Sequence, residues 1–266
     1  MGCLTSPPSE GGQEPFPHSA PPLGEQPLAS LAGLLSVAMD LILIRHGQPD
    51  WTPDSIARND PFLTTLGVEQ AQRVAQRLAA LERVDEVWVS TMNRARQTSD
   101  PVSAELGMEV EFYDFLQEIN NPPSWEGAPA DRIEKLLSEA NLRSMDEMWD
   151  GLPEGESFRE FHKRVVAGLD QTLTAHGIAP MSEEHRHLWT VDDPGKRVII
   201  VSHAGTNAVV LGHLLGLEPV PWEWERFRQP HTGISRLTMS RISTGWTFSL
   251  RMLGDVTHLH PGMITA

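Results

Sequence analysis

The chain has a single cysteine, Cys3, so no intramolecular disulfide can form and the fold does not depend on an oxidising compartment, which fits the cytoplasm. Basic residues are scarce as well: 21 Lys and Arg stand against 36 Asp and Glu, a formal net charge of -15. A surface of that sign repels nucleic-acid phosphates and anionic lipid headgroups, which disfavours a nucleic-acid or membrane partner. No apolar run approaches the roughly 18 to 20 residues that cross a bilayer. The nearest candidate, residues 28–39, is short. No Lys or Arg precedes it, whereas secretory signals carry a basic n-region and transit peptides are rich in Arg. The sequence shows no internal repeat.

What is present divides unevenly along the chain. Residues 1–38 hold seven of the 21 prolines, three Glu and no basic residue, with Pro7-Pro8 and Pro21-Pro22 blocking helix and strand alike. A disordered Pro-rich leader is expected there. Met39 stands two residues before the first strong strand, which leaves open that translation begins at that methionine. The remaining chain, residues 39–266, is long enough for one full-sized core, and the 39% hydrophobic and 21% charged content is that of an ordinary globular protein.

Residues 41–44 are apolar throughout and read as a strand buried on both faces of a parallel sheet. An amphipathic helix is predicted over 65–81, where Ala71, Val74, Ala75 and Leu78 share one stripe. A second strand, 87–89, and a helix from 94 to 106 follow, the helix ending at Gly107 and carrying Pro101 inside it. Residues 118–151 form a Pro- and Trp-containing insertion. A long helix is predicted over 156–176 from Phe158, Phe161, Val165, Leu169 and Leu173, then a polar loop over 177–196. Residues 198–201 repeat the first strand, and an apolar helix from 204 to 215 stops at Gly216. Two further strand-like runs lie within 234–253. Alternating strands and helices imply a three-layer α/β/α sandwich around a mainly parallel sheet.

In open α/β sheets the ligand sits outside the carboxyl ends of the strands, and both Arg45-His46-Gly47 and Ser202-His203 fall at such ends. A neutral imidazole can attack phosphorus and carry the group covalently, which splits one difficult substitution into two easier ones. His46 is the candidate nucleophile. Guanidinium groups suit the three anionic phosphoryl oxygens, and Arg45 and Arg94 are placed to supply them, Arg94 at a helix start that favours anions. A carboxylic acid must protonate the leaving oxygen and later deprotonate water. Glu118, opening the insertion, is the candidate, with Glu111 and Glu126 as neighbouring carboxylates.

These residues resemble the histidine phosphatase superfamily, also called the phosphoglycerate mutase-like family. Leu43-Ile44-Arg45-His46-Gly47-Gln48 matches its signature. The similarity continues through Leu63-Thr64, Gly67, Gln70-Ala71, Ser90, Arg94-Ala95, Gln97-Thr98, Leu116 and Glu118. It extends to Trp125-Glu126-Gly127, Gly155-Glu156-Ser157, Arg164, Val201-Ser202-His203-Ala204-Gly205, Asp255 and His258-Leu259. The resemblance implies the family's sheet, no metal and no cofactor. It also implies a phosphorylated His46, a phosphate pocket completed by Arg45, Arg94 and His203, and Glu118 as proton donor. Mutase members carry Asn six residues after the motif histidine; here that position is Thr52, a hydroxyl donor expected at the phosphate. They also carry a paired-arginine motif in the insertion. In the segment 119–151, expected to be a lid that sets specificity, seven acidic residues face three basic ones. A small substrate with one phosphate, and hence hydrolysis, is favoured over mutase activity. The alternatives are a phosphoglycerate mutase and a phosphate-binding module without catalysis.

Other features carry plainer expectations. The pairs His185 and His187, and His258 and His260, lack clustered ligands at metal spacing and read as surface histidines. Trp222, Trp224 and Phe227 are expected to pack rather than to bind substrate. Arg58 is expected to be an ordinary exposed charge. The sequence leaves the oligomeric state open, a homodimer being one option.

Overall fold

A computed structural model describes residues 39–140, 142–182 and 187–266. The expected leader, residues 1–38, and the first member of the His185 and His187 pair lie outside the described residues. In chain order the elements are strand β1 (Met39–Arg45), helix α1 (Thr65–Ala79), β2 (Glu86–Ser90), α2 (Asn93–Leu106) and β3 (Glu111–Tyr113). The insertion contributes α3 (Ala130–Ala140) and α4 (Met145–Trp149), followed by α5 (Phe158–Ala175), β4 (Ile178–Pro180) and β5 (Trp189–Val191). Last come β6 (Lys196–Ser202), α6 (Ala204–Leu214), α7 (Glu223–Arg226), β7 (Ile234–Ile242) and β8 (Gly245–Asp255).

The strands form one sheet in the order β3-β2-β6-β1-β7-β8-β5-β4. Period-two alternation along the central strands feeds a separate core on each face. Leu41 and Leu43 of β1, with Val198 and Ile200 of β6, pack under α5 and α6. Ile42, Ile44, Ile199 and Val201 point the other way, under α1 and α2. Each helix carries its stop or start in sequence: α2 runs through Pro101 and ends at Gly107 with φ 63°, and α5 opens with a Ser157/Glu160 capping box.

The expectation of a mainly parallel sheet needs correction. β3, β2, β6 and β1 are mutually parallel, but β7, β8, β5 and β4 all pair antiparallel. β7 and β8 are joined through Ser243 and Thr244, and a link that short permits only a hairpin. The expected loop over 177–196 also contains two strands, because fully buried Trp189 anchors β5 against Phe248 of β8 at a ring distance of 5.4 Å. Among the described residues no helix is long and apolar enough to cross a membrane.

Candidate active site

Parallel pairing of β1 with β6 runs in register from Met39 with Lys196 to Arg45 with Ser202, so the next residues, His46 and His203, leave neighbouring strands at one level. β2 adds on the far side of β6 with Val89 opposite Val201, which brings Ser90 and the first turn of α2 to the same edge. Gly47 then turns the chain against α1. A Cβ there would stand 2.5 Å from Gly67 O, so nothing larger fits. Gly47 N donates to Thr98 Oγ1 at 2.9 Å, tying this turn to α2.

The two imidazoles are buried, with ring centroids 5.1 Å apart. His46 Nδ1 lies 2.7 Å from Gly47 O, and a carbonyl can only accept, so Nδ1 holds the proton and Nε2 keeps the lone pair. Burial, reinforced by the Arg94 and Arg45 guanidiniums, holds the His46 pKa well below the ordinary imidazole value. Burial and Arg94 do the same to His203. Both rings are therefore neutral at physiological pH, the state that attack through nitrogen requires. Arg94 Nε donates to His46 Nε2 at 3.3 Å. Burial lowers the Arg94 pKa to about 10, which leaves it cationic; Asp60 Oδ1 lies 3.4 Å from its Nη1 and the Trp51 ring covers it at 4.9 Å.

The unpaired atoms define the centre. Arg45 Nε, His203 Nδ1, Gln229 Nε2 and His231 Nε2 are all buried without a hydrogen-bond partner. Folded proteins pair nearly all buried polar atoms; Trp189 Nε1 and His258 Nδ1 are unpaired elsewhere, but His203 and His231 are both in ring contact with His46, and Arg45 is bonded to Gln229, so these four describe a cradle for an anion. Arg45 Nη1 donates to Gln229 O at 2.7 Å, and His203 Nε2 meets Ser90 Oγ at 2.8 Å, which fixes both side chains. His231 stands with its ring centroid 5.6 Å from that of His46. Its Nδ1 lies 2.8 Å from Thr265 Oγ1, and burial together with Arg45 lowers its pKa to about 3.

Glu118 arrives from the segment after β3, anchored by the fully buried Leu116. Its Oε2 accepts from Gly205 N at 2.9 Å, one of the first N–H groups of α6, a helix with no side-chain cap of its own. A Cβ on Gly205 would lie 2.5 Å from Glu118 Oε1, so glycine is what allows the approach. Its charge reaches both Arg45 and Arg94. Arg164 of α5 supports the segment from behind: Nε and Nη2 each donate to Glu156 at 2.8 Å. Its Nη1 donates to the carbonyls of Asp114, Phe115 and Gln117, and Nη2 to that of Glu118, all between 3.2 and 3.3 Å.

The family pattern of the histidine phosphatase superfamily (branch 1) matches residues 41–250. The chain belongs to that superfamily. It is 27% identical over 231 residues to the probable phosphoglycerate mutase GpmB of Escherichia coli (strain K12 / DH10B), covering 83% of this chain and 95% of that protein. Among solved structures, Bacillus stearothermophilus YhfR superposes with a TM-score of 0.62 at 24% identity, covering 83% of this chain and 99% of the other. The mycobacterial glucosyl-3-phosphoglycerate phosphatase Rv2419c gives a TM-score of 0.60 at 21% identity, covering 82% and 99%. These structures share the fold.

In this member of the superfamily His46, His203, Arg45 and Arg94 converge, with Glu118 beside them at the start of α6. Thr52 is linked to none of them by a hydrogen bond among the described residues. It is exposed, its side chain caps nothing, and it lines a cavity of about 490 Å³ between the loop after β1 and the insertion. The neighbouring carboxylates are occupied elsewhere, Glu126 by Arg58 at 3.0 Å and Glu111 by Tyr113 Oη at 2.7 Å. Trp224 packs against Phe158 at 6.0 Å and Phe227 is buried. His258, expected at the surface, is instead half-buried with Nε2 at 3.2 Å from Thr232 Oγ1. Among the described residues no group of three or more His, Cys, Asp or Glu could hold a metal ion. His231 and Gln229 are two site residues that no sequence motif marks. Their one sequence signal is a polar run immediately before β7, whose antiparallel course starts it at the carboxyl end of β1: Ile44 pairs with Ile234, and Thr232 N donates to Arg45 O at 3.0 Å.

Proposed function

We propose that this protein hydrolyses a small phosphomonoester through a phosphohistidine on His46. The observation that carries this reading is the set of buried, unpaired nitrogens on Arg45, His203, Gln229 and His231 beside a neutral imidazole whose lone pair is on Nε2, where it accepts from Arg94 Nε. In the first half-reaction the Nε2 lone pair forms the N–P bond as the ester P–O bond breaks, and Glu118 gives its proton to the departing oxygen. In the second, the Glu118 carboxylate takes a proton from water, whose oxygen attacks phosphorus. The N–P bond breaks, and inorganic phosphate leaves with His46 restored. Arg45, Arg94 and His203 stabilise the charge on the phosphoryl oxygens. These steps call on no cofactor, and the segment 119–151 acts as the lid over the leaving group.

Likeness to probable phosphoglycerate mutases favours a second reading, in which His46 returns the phosphoryl group to another hydroxyl of the same sugar acid. That chemistry needs cations for the substrate carboxylate, and the lid region has few to spare. Arg143 donates to the backbone carbonyls of Glu147 and Gly151, and Arg58 is paired with Glu126 at 3.0 Å. A non-catalytic phosphate-binding module would not require the nucleophile, the carboxylic acid and the cradle to be kept together. The test is turnover and trapping of labelled phosphate by wild type and His46→Ala. Wild type is expected to release inorganic phosphate, and the folded variant to show neither turnover nor label. Isomerised phosphoglycerate without net hydrolysis would select the mutase, and full activity in the variant would remove the mechanism.

A further inference from the structure

We infer that the ester's leaving group is apolar, uncharged and of ring size, and that it sits in the cavity lined by Trp51 and the lid. The inference rests on the hydrolase reading above and adds what the phosphate is attached to. None of His46, His203, Arg45, Arg94 and Glu118 lines this cavity, but two of its walls are one step removed from them. Trp51 lines it while covering the Arg94 guanidinium at 4.9 Å, and Arg94 in turn meets His46 Nε2 at 3.3 Å. On the other side Asn121 lines it a few residues after Glu118 in the chain. An ester whose phosphorus meets His46 Nε2 must send its organic part away from the strand ends. The cavity is the space that borders both the cover of Arg94 and the Glu118 segment.

The chemistry of the lining selects the occupant. Trp125, Ile133 and Leu137 form the lid side. Trp51 is 40% exposed and Leu137 47% exposed, large apolar side chains left to water where a ligand could cover them. The charges point the same way. The Arg58 cation on this wall is already paired with Glu126 at 3.0 Å, whereas Glu134 on the opposite wall is paired with no cation among the described residues. Among the described residues that line the cavity, a second carboxylate or phosphate would thus meet unpaired negative charge and no free cation. The Asn59 side-chain amide is engaged with Pro122 O at 3.1 Å, so the polar atoms there are partly committed. A volume of about 490 Å³ falls within the roughly 300 to 1,000 Å³ of sites that enclose organic ligands.

Three probes separate this inference from the reading beneath it: acetyl phosphate, whose small acyl group leaves the cavity empty, 1-naphthyl phosphate, and 3-phosphoglycerate. Wild type is expected to turn over acetyl phosphate and to show a kcat/KM for naphthyl phosphate about tenfold or more above that for 3-phosphoglycerate. Leu137→Asp, at a partly exposed position on the lid helix, is expected to lower the naphthyl-to-acetyl ratio of kcat/KM about tenfold. Turnover of acetyl phosphate with no naphthyl preference, or with an unchanged ratio in Leu137→Asp, overturns the inference and spares the hydrolase. No turnover of either acetyl phosphate or naphthyl phosphate overturns both.

Discussion

A buried N–H or imidazole nitrogen without a partner costs about 1 to 3 kcal/mol, so His231 is tolerable in the folded chain only if something compensates in use. Its Nδ1 faces Thr265 Oγ1 at 2.8 Å, and that oxygen already accepts from Gln70 Nε2 at 3.0 Å. The hydroxyl proton is then free for Nδ1, which leaves Nε2–H as the donor turned to the anion. We predict that His231→Phe, which keeps the ring's bulk and removes this donor, lowers kcat/KM about 10- to 100-fold. Competitive inhibition by inorganic phosphate should weaken in parallel. An unchanged inhibition constant in a folded variant would place His231 outside the cradle. The residues legible in the sequence were those following parallel strands: His46 and His203 come straight off buried apolar runs, and Arg94 opens the helix after the next strand. His231 was illegible for the same reason, since it precedes a strand. In a sheet taken as mainly parallel, the start of β7 falls at the opposite edge from His46.

Glu118 belongs to no helix or strand, so an element must supply its rigidity, and α5 does so through Arg164 and Glu156. The fork of Arg164 holds Glu156 with two bonds of 2.8 Å while reaching the carbonyls that flank Glu118. Lys cannot span that set, because its ammonium is a point donor. Arg164→Lys should lower kcat/KM for alkyl phosphates, which reports phosphorylation of His46 and not the shared hydrolysis step, about tenfold. The loss should be smaller for p-nitrophenyl phosphate, whose leaving oxygen needs no proton. Equal losses on both esters would mean that Arg164 does not act through the acid. Element recognition followed periodicity in α1 and α5, whose apolar stripes are clear, whereas α6 is buried on nearly every side and shows as a continuous apolar run bounded by Gly216. The lid helices were missed although α3 is as long as α6 and carries Ile133, Leu136 and Leu137 at helical spacing, because the prolines and Trp125 before it mark the segment as irregular, and α4 has only five residues. β4 and β5 have three residues each, too few to show alternation, and exist because pairing with β8 buries Trp189.

A chain of formal net charge -15 carries a centre built of guanidiniums and neutral imidazoles, and its exposed carboxylates and buried rings answer pH with opposite signs. His46, His203 and His231 have folded pKa values depressed by burial, so the folded chain refuses protons that the unfolded chain accepts below its ordinary imidazole pKa of about 6.5. Stability is therefore level above that pH and falls as the pH drops below it, by up to about 1.4 kcal/mol per unit for each imidazole. For His231 the loss continues until its folded pKa of about 3. Titration of the surface works the other way, since lowering the pH relieves self-repulsion among the carboxylates. Salt near 0.3 M screens the exposed charges and leaves the buried rings untouched. Under that condition we predict that the urea midpoint falls steadily from pH 6.5 to 5.0 and that His231→Phe makes the fall shallower. The pH 5.0 limit matters, because Glu126, Glu147 and Glu160, whose pKa values are held low by hydrogen bonds, withdraw their own contribution only at lower pH. A midpoint that holds constant or rises over this range at high salt would show that the imidazoles are not kept neutral by the fold, and the lone pair assigned to His46 would lose its physical basis.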